Sequence, residues 1–407
     1  MKILKRKFFL KSSKKLVFMM SILFSFVPFV AISDTVFAND VLPKINNSLT
    51  IETRAKSAVV IEAQTGRVLF EKNKDQKLAM ASTTKIVTAL TVLNHCKNLK
   101  QKVKINDKAV GVEGTSLYLK KGEILTVKEL LYGVMLPSGN DASLALAIHV
   151  AGSESKFCEM MEQTAKTVGA NNSCFKNSHG LDAVGHYTTA HDLAKITAKA
   201  LENKVFMEIV CTEYIKINGV SPDNARLLKN KNKLLGKFEG CNGVKTGFTD
   251  NAGRCFVSSA ERNGLKLVCV VLNCVDMFND SEALLENTFK NYTMHQVLLP
   301  YAFQKKVIVE NGKKANVKIF SKRGFAYPIL TKEVSKFEVV VDLPQTLYAP
   351  LKKEQEVGEI KIYFDNHLLF CEKLFTMDEI RSINFWDNLK EIYDRWSFFG
   401  ENKQVFG

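Results

Sequence analysis

No two of the nine cysteines stand in a C-x-x-C pair, and their odd number (positions 96, 158, 174, 211, 241, 255, 269, 274 and 371) argues against a disulfide framework. Each is therefore expected as a small buried hydrophobe. His95, His149, His186, His191, His295 and His367 never fall in H-E-x-x-H or a similar ligand spacing, so no metal and no cofactor is expected. Motifs for nucleic-acid binding are missing too, although the formal net charge is +15. Tryptophan is scarce: there are two, both near the C-terminal end.

What is present begins with a basic cluster (Lys2, Lys5, Arg6, Lys7, Lys11, Lys14, Lys15), an apolar run from Leu16 to Ile32, and Val36-Phe37-Ala38 before Asn39. This order reads as a secretory signal peptide, residues 1–38, cleaved after Ala38. An uncleaved membrane helix is the alternative, since the run is only slightly short of the roughly 20 residues that span a bilayer. Pro28 and the pattern at 36 and 38 favour cleavage. Removing the leader leaves a net charge of about +9, which suits an anionic membrane face or wall polymer, or merely aids solubility. The roughly 370 residues that remain exceed one ordinary core and predict two domains.

AVVIEA and RVLFE flank Gln64-Thr65-Gly66, which predicts a hairpin. Ile86, Ala89, Leu90 and Leu93 recur at helical spacing, so a helix with one buried stripe is expected from Ser82, which can cap it. DASLALAIHVA, after Pro137-Ser138-Gly139-Asn140, is apolar almost all round and predicts a central buried helix. Residues 154–168 and 188–203 read as helices, and 243–246, 253–260 and 265–273 as strands. With a linker at 39–54, these predict an α+β domain over 55–297.

A helix is expected from Ser281 to about Tyr301. Beyond it KVIVE (306–310), NVKIF (316–320), FEVVV (337–341), EIKIYF (359–364) and HLLFCE (367–372) alternate as strands. Asn311-Gly312 and Asp365-Asn366 supply turns, and the whole predicts a small all-β domain over 298–376. Residues 377–407 set Phe385, Leu389, Ile392, Tyr393 and Trp396 on one helical face. Its aromatics favour an interfacial membrane anchor; a helix packed on its own protein is the other reading.

Three short motifs carry the chemistry. In Ser82-Thr83-Thr84-Lys85, helical spacing stacks the hydroxyl beside the amine. Lys85 adjoins the buried stripe, so its charged form is disfavoured and it can act as a base. A helix N-terminus favours the negative charge developing on the serine. Ser138-Gly139-Asn140 offers a hydroxyl able to pass a proton to a leaving amine and a carboxamide able to hold a substrate peptide group. Lys245-Thr246-Gly247 sets a cation and a hydroxyl side by side for a terminal carboxylate, while the glycine lets a substrate backbone approach the strand edge. Arg254 adds positive potential for the same carboxylate or forms a structural ion pair. Each motif is unremarkable alone; in the order helix, loop, strand the set is specific.

With these motifs, and with AVVIEAQTGRVLFEKN (58–73), NSHGLDAVGHYTTAHDLA (177–194) and NGVKTGFTDNAGRCFVSSA (242–260), nearly all of the mature chain resembles the low-molecular-mass penicillin-binding proteins. The likeness is to the serine D-alanyl-D-alanine carboxypeptidases of peptidase family S11, in their two-domain, membrane-anchored type. It implies a β-lactamase/transpeptidase-like α+β catalytic domain, an antiparallel sheet with helices on both sides and a helical cluster, followed by the all-β domain. It implies removal of the terminal D-alanine from peptidoglycan pentapeptide stems through an acyl-enzyme on Ser82, which limits cross-linking of the wall. Lys85 would be the general base and Ser138 the proton relay, with Asn140 beside it. Lys245, Thr246 and Gly247 would bind substrate, and the backbone N–H groups of Ser82 and Phe248 would form the oxyanion hole. β-Lactam antibiotics would be covalent inhibitors, and the exported protein would touch the outer face of the cytoplasmic membrane peripherally. The NSHGLD stretch is implied as a structural loop, so a triad of Ser82 with His179 and Asp182 is not expected.

A class A β-lactamase shares the first and third motifs. It would carry Asp where Gly139 stands and a deacylating Glu on a loop, and would lack the β domain. A transpeptidase shares the acyl-enzyme and differs in using an amine acceptor; the domain plan matches the carboxypeptidase type better. A wall-binding protein without catalysis would show a damaged motif, and all three are intact.

Overall fold

The computed structural model describes residues 52–219, 225–301 and 303–401. The expected leader (1–38) and the expected linker up to residue 51 lie outside them.

Strands β1 (Ser57–Glu62) and β2 (Val68–Lys72) form the expected hairpin, and Glu62 ties its turn by accepting from Thr65 N and Oγ1, both at 2.7 Å. The chain then makes one 3-10 turn, Ala81–Thr84, before α1 (Lys85–His95). Ser82 therefore lies inside this turn and does not cap the helix. The Thr83 and Thr84 hydroxyls hold the tight winding by donating to Met80 O (2.6 Å) and Ala81 O (2.8 Å). Helix α1 is buried continuously from Lys85 to Val92, wider than the single stripe expected. Its polar residues find partners inside: Thr88 donates to Ser178 O (2.6 Å) and Thr91 to Thr164 Oγ1 (3.1 Å).

Strands β3 (Lys102–Lys104) and β4 (Ile124–Thr126) pair, and Thr126 with Glu129 forms a capping box that starts α2 (Val127–Met135). Helix α3 (Asn140–Ala151) is the expected central helix and stops at Gly152, whose φ of +78° suits a residue without a β-carbon. Side chains of Ser153, Thr189 and Asn203 cap α4 (Glu154–Thr167), α5 (Ala190–Leu201) and α6 (Lys204–Cys211). Strands β5 (Tyr214–Ile217) and β6 (Arg226–Lys229) pair, followed by β7 (Cys241–Thr249), β8 (Gly253–Arg262) and β9 (Leu265–Leu272).

The antiparallel sheet runs β2-β1-β9-β8-β7, which leaves β7 at an edge. Alternation along each strand feeds two cores. Val59, Ile61, Val257, Val268 and Val270 face helices α1 to α6, whereas Val60, Phe256, Leu267 and Val271 face α7 (Met277–Asn291). Helices thus cover both faces of the sheet.

Helix α7 ends ten residues before the Tyr301 expected for it. Residues Tyr292–Leu298 form strand β10, because their aromatic and branched side chains pair with β13 (Phe325–Leu330). Strands β11 (Lys305–Glu310), β12 (Asn316–Ser321), β14 (Phe337–Asp342), β15 (Thr346–Tyr348), β16 (Glu356–Phe364) and β17 (His367–Thr376) form a second sheet in the order β14-β16-β17-β12-β11-β15. Asp365 and Asn366, at φ +51° and +63°, make the tight turn from β16 to β17.

Arg67, from the β1–β2 turn, joins the two sheets' surroundings. Its guanidinium pairs with Glu333 at 3.0 Å, donates to Pro328 O, and lies 5.0 Å and 4.8 Å from the Tyr327 and Phe364 ring centroids. Helix α8 (Phe385–Glu401) follows, with Phe385, Leu389, Ile392, Tyr393 and Trp396 all exposed. All nine cysteines are free thiols, but not all are buried as expected. Cys211 is exposed at the last turn of α6, and Cys371 at an outward position of β17.

Candidate active site

Lys85 is fully buried, at 0 % exposure, and three oxygens surround its amine. Nζ lies 2.9 Å from Ser82 Oγ, 2.6 Å from Asn140 Oδ1 and 2.5 Å from the carbonyl oxygen of His179. The last two can only accept. A neutral amine has two N–H groups for them and one lone pair left, which then meets the Ser82 O–H. Burial is the main force lowering the Lys85 pKa well below its usual range; the charges of Lys245 and Lys231 add to it, and Asp141 opposes it. Geometry and electrostatics both favour the base form.

Ser138 sits at φ +77° in the turn before α3, 3 % exposed, and its Oγ has no hydrogen-bond partner among the described residues. A buried hydroxyl held in this sparsely allowed conformation is free to engage a substrate. Gly139 leaves no room for a side chain: a β-carbon there would lie 2.1 Å from Leu117 Cδ1. Asn140 is fixed at both ends of its amide, since Nδ2 donates to Glu113 O at 2.6 Å while Oδ1 takes the Lys85 bond. Asp141 accepts from Leu117 N (2.9 Å) and Leu119 N (3.0 Å), so the loop at 113–119 is shaped by the start of α3.

On β7, Lys245 is 1 % exposed and bonds to Thr246 O at 3.0 Å; burial, then the charge of Lys231, pushes its pKa down to about 7. It acts on Lys85 through charge and shares no hydrogen bond with it or with Ser82. Thr246 is nearly buried. A β-carbon on Gly247 would lie 2.9 Å from Ser82 N, which shows how closely the strand passes the serine turn. Phe248, the next residue, is exposed at 59 %. The structure thus brings Ser82, Lys85 and Asn140 into direct contact, sets Gly247 against them, and keeps the Ser138 hydroxyl unbonded nearby in sequence to Asn140.

Several residues act here that the motifs did not single out. His186 Nδ1 accepts from Lys176 N at 2.9 Å, so its proton sits on Nε2 and is donated to Thr84 Oγ1 at 2.9 Å; Thr84 passes the chain on to Ala81 O. Burial first, and the charge of Lys85, pushes the pKa of His179 down to about 4, and burial does the same for His186. His179 serves through its carbonyl, and Asp182 accepts from Thr249 Oγ1 at 2.9 Å, so neither builds a triad with Ser82. Gly180, at φ +93°, packs on Ala81: a β-carbon there would lie 2.0 Å from Ala81 O. The NSHGLD stretch was the only signal in the sequence that pointed to these contacts.

The profile of the family described as D-alanyl-D-alanine carboxypeptidase matches residues 44–276, and that of the C-terminal domain of penicillin-binding protein 5 matches 289–382. D-alanyl-D-alanine carboxypeptidase DacF of Bacillus subtilis is 31% identical over 379 residues, covering 89% of this chain and 96% of that protein. Among solved structures, penicillin-binding protein 5 from Haemophilus influenzae matches with a TM-score of 0.68 at 27% identity, covering 83% of this chain and 100% of that one. A serine-to-alanine mutant of the Streptomyces K15 DD-transpeptidase matches with a TM-score of 0.57 at 31% identity, over 59% of this chain and 99% of that one.

Proposed function

This chain belongs to the D-alanyl-D-alanine carboxypeptidase family of serine peptidases, the S11 penicillin-binding proteins, and from that premise we propose that Ser82 is the nucleophile with which it removes the terminal D-alanine of peptidoglycan stems. The family acts on stems ending in D-Ala-D-Ala and binds β-lactams. The observation that carries the assignment is the Lys85 amine, buried with no carboxylate partner among the described residues and 2.9 Å from Ser82 Oγ.

In this reading Lys85 takes the Ser82 proton as Oγ attacks the carbonyl of the penultimate D-alanine. Backbone N–H groups of Ser82 and Phe248 receive the negative charge on the carbonyl oxygen. Ser138 passes the proton from Lys85 to the departing D-alanine amine. Asn140 holds both Lys85 and the substrate peptide, and Lys245, Thr246 and Gly247 receive the terminal carboxylate and backbone. Water then hydrolyses the ester on Ser82, and loss of the terminal residue limits cross-linking.

Export and attachment complete the proposal. The basic, apolar and small-residue order of residues 1–38 supports secretion, and the exposed aromatic face of α8 supports a peripheral anchor at the outer face of the cytoplasmic membrane. Among the described residues no helix is long and apolar enough to cross a membrane.

The test is release of D-alanine from diacetyl-L-Lys-D-Ala-D-Ala by the mature protein and by Ser82→Ala prepared identically. Release by the first and not the second supports the assignment; equal release removes Ser82 from the mechanism. The likeness to a Streptomyces DD-transpeptidase favours one second reading, transfer of the acyl group to an amine. It predicts little release until an amine acceptor such as glycylglycine is added.

A further inference from the structure

The loop at 113–119 lies outside the three motifs, yet it is tied twice to one of them. Asn140 donates through its backbone N–H to Thr115 O at 2.7 Å and through Nδ2 to Glu113 O at 2.6 Å. Gly114, at φ +85°, lets the loop come this close: a β-carbon there would lie 2.8 Å from Asn140 Nδ2 and 3.7 Å from Leu181 Cδ2 of the NSHGLD stretch. Glu113 therefore stands where the loop meets the Asn140 amide, whose second N–H is left for the substrate peptide.

Glu113 itself is exposed, and among the described residues its carboxylate has no ion pair and no side-chain hydrogen bond. The lysines of the site do not engage it, since the charges bearing on Lys85 are those of Lys245, Lys231 and Asp141, and Lys231 is shifted by burial alone. Asp141 is fully buried and taken up by the backbone N–H groups of Leu117 and Leu119. Glu113 is thus a negative charge left over beside a site whose other exposed or reacting cations, Lys231 and Lys245, are positive.

The substrate supplies a matching charge. A peptidoglycan stem carries a diamino acid immediately before its two D-alanines, with an amine at the end of a long side chain. When the penultimate carbonyl is at Ser82 and the terminal carboxylate at β7, the upstream part of the stem leaves the site past Asn140. Its long side chain then reaches beyond the reacting atoms, where Lys231 and Lys245 repel an ammonium and Glu113 attracts it.

We infer that Glu113 is a specificity residue of this site, its carboxylate receiving the side-chain ammonium of the diamino acid that precedes D-Ala-D-Ala. This rests on the carboxypeptidase reading above. The enzyme then prefers stems whose second amine is free to stems in which a cross-link has already acylated it.

The experiment measures kcat/KM at neutral pH for Nα-acetyl-L-Lys-D-Ala-D-Ala, whose side-chain amine is free, and for the diacetyl peptide, and takes their ratio. An exposed ion pair gives the wild type a ratio of up to about five. The ratio should shrink as salt is added, because both charges are open to solvent. Glu113→Gln should bring it to about one, Glu113→Asp should keep part of the preference, and Glu113→Lys should turn it below one. A purely structural role would slow both peptides alike and leave the ratio as it was. A wild-type ratio of one, or a ratio that survives Glu113→Gln, would overturn the inference while leaving the carboxypeptidase intact. A wild type that shortens neither peptide removes the underlying reading, and the inference falls with it.

Discussion

Lys85 Nζ and Asn140 Oδ1 meet at 2.6 Å, so the base from α1 is held by the first residue of α3. The amide cannot rotate to withdraw that oxygen, because its nitrogen is bound to Glu113 O. With a second acceptor at His179 O, the lone pair of a neutral Lys85 has Ser82 as its only direction.

The rate should therefore follow deprotonation of Lys85. Its pKa is lowered, chiefly by burial and then by Lys245 and Lys231, so kcat/KM rises with pH on the acid side as the ammonium loses its proton. Lys231→Met removes one repelling charge, allows Lys85 to keep its proton longer, and should move this limb to higher pH. Lys245 loses its charge above about 7, so KM for a carboxylate substrate should begin to rise there. A pH profile of kcat and KM for both proteins checks all three; an acid limb unmoved by Lys231→Met contradicts the field argument.

Lys85→Ala should slow acylation by a β-lactam by about a hundred- to ten-thousand-fold, the usual worth of a general base. The readout is the rate of covalent labelling with a fluorescent penicillin at saturating dye. An unchanged rate would show that another group takes the proton.

Ser138→Ala separates chemistry from stability. The hydroxyl has no hydrogen bond to lose, so unfolding in urea should change by less than about 1 kcal/mol. Acylation should nevertheless fall. A large loss of stability with normal labelling would assign Ser138 a structural role.

Arg67→Ala should be among the most destabilising single changes. It takes from the Glu333 carboxylate, 5 % exposed, its buried partner at 3.0 Å and leaves it only the half-exposed Lys336 at 3.6 Å, at a cost of about 3 kcal/mol. Replacing both residues by Met should recover most of this, since no lone charge then remains buried. Denaturant melts of the two variants decide it.

Residues 378–384, expected as part of the anchor, pack instead on the β domain: Ile380 is 1 % exposed and exchanges backbone hydrogen bonds with Leu351. Deleting residues 385–407 alone should therefore give a soluble enzyme that labels normally but no longer sediments with anionic phospholipid vesicles. An unfolded truncation would mean that α8 is part of the fold.

Much of this architecture was legible because one-dimensional periodicity reports it. Ser82 and Lys85 stack because three residues make most of a helical turn, and the Asp365-Asn366 turn follows from its residue types. Tyr292–Leu298 reads as helix from the sequence because its strand identity depends on a partner distant in sequence, Phe325–Leu330, which itself contains Pro328. The inward threonines of α1 read as an outer face, since nothing local announces that Ser178 O and Thr164 wait for them. The motifs named the reactive atoms of the candidate site but not what holds them: the His179 carbonyl, the His186 to Thr84 chain and the Glu113 carbonyl are backbone or distant contacts without a spacing rule.

Gly180 carries no reactive atom, yet it packs so closely on the serine turn that the β-carbon of any larger residue would drive into Ala81 O. The site can consequently be silenced by a lesion that leaves every motif intact. A genetic selection for survivors that no longer label with penicillin should return position 180 beside 82 and 85, and inspection of the three motifs alone would score such a mutant as active.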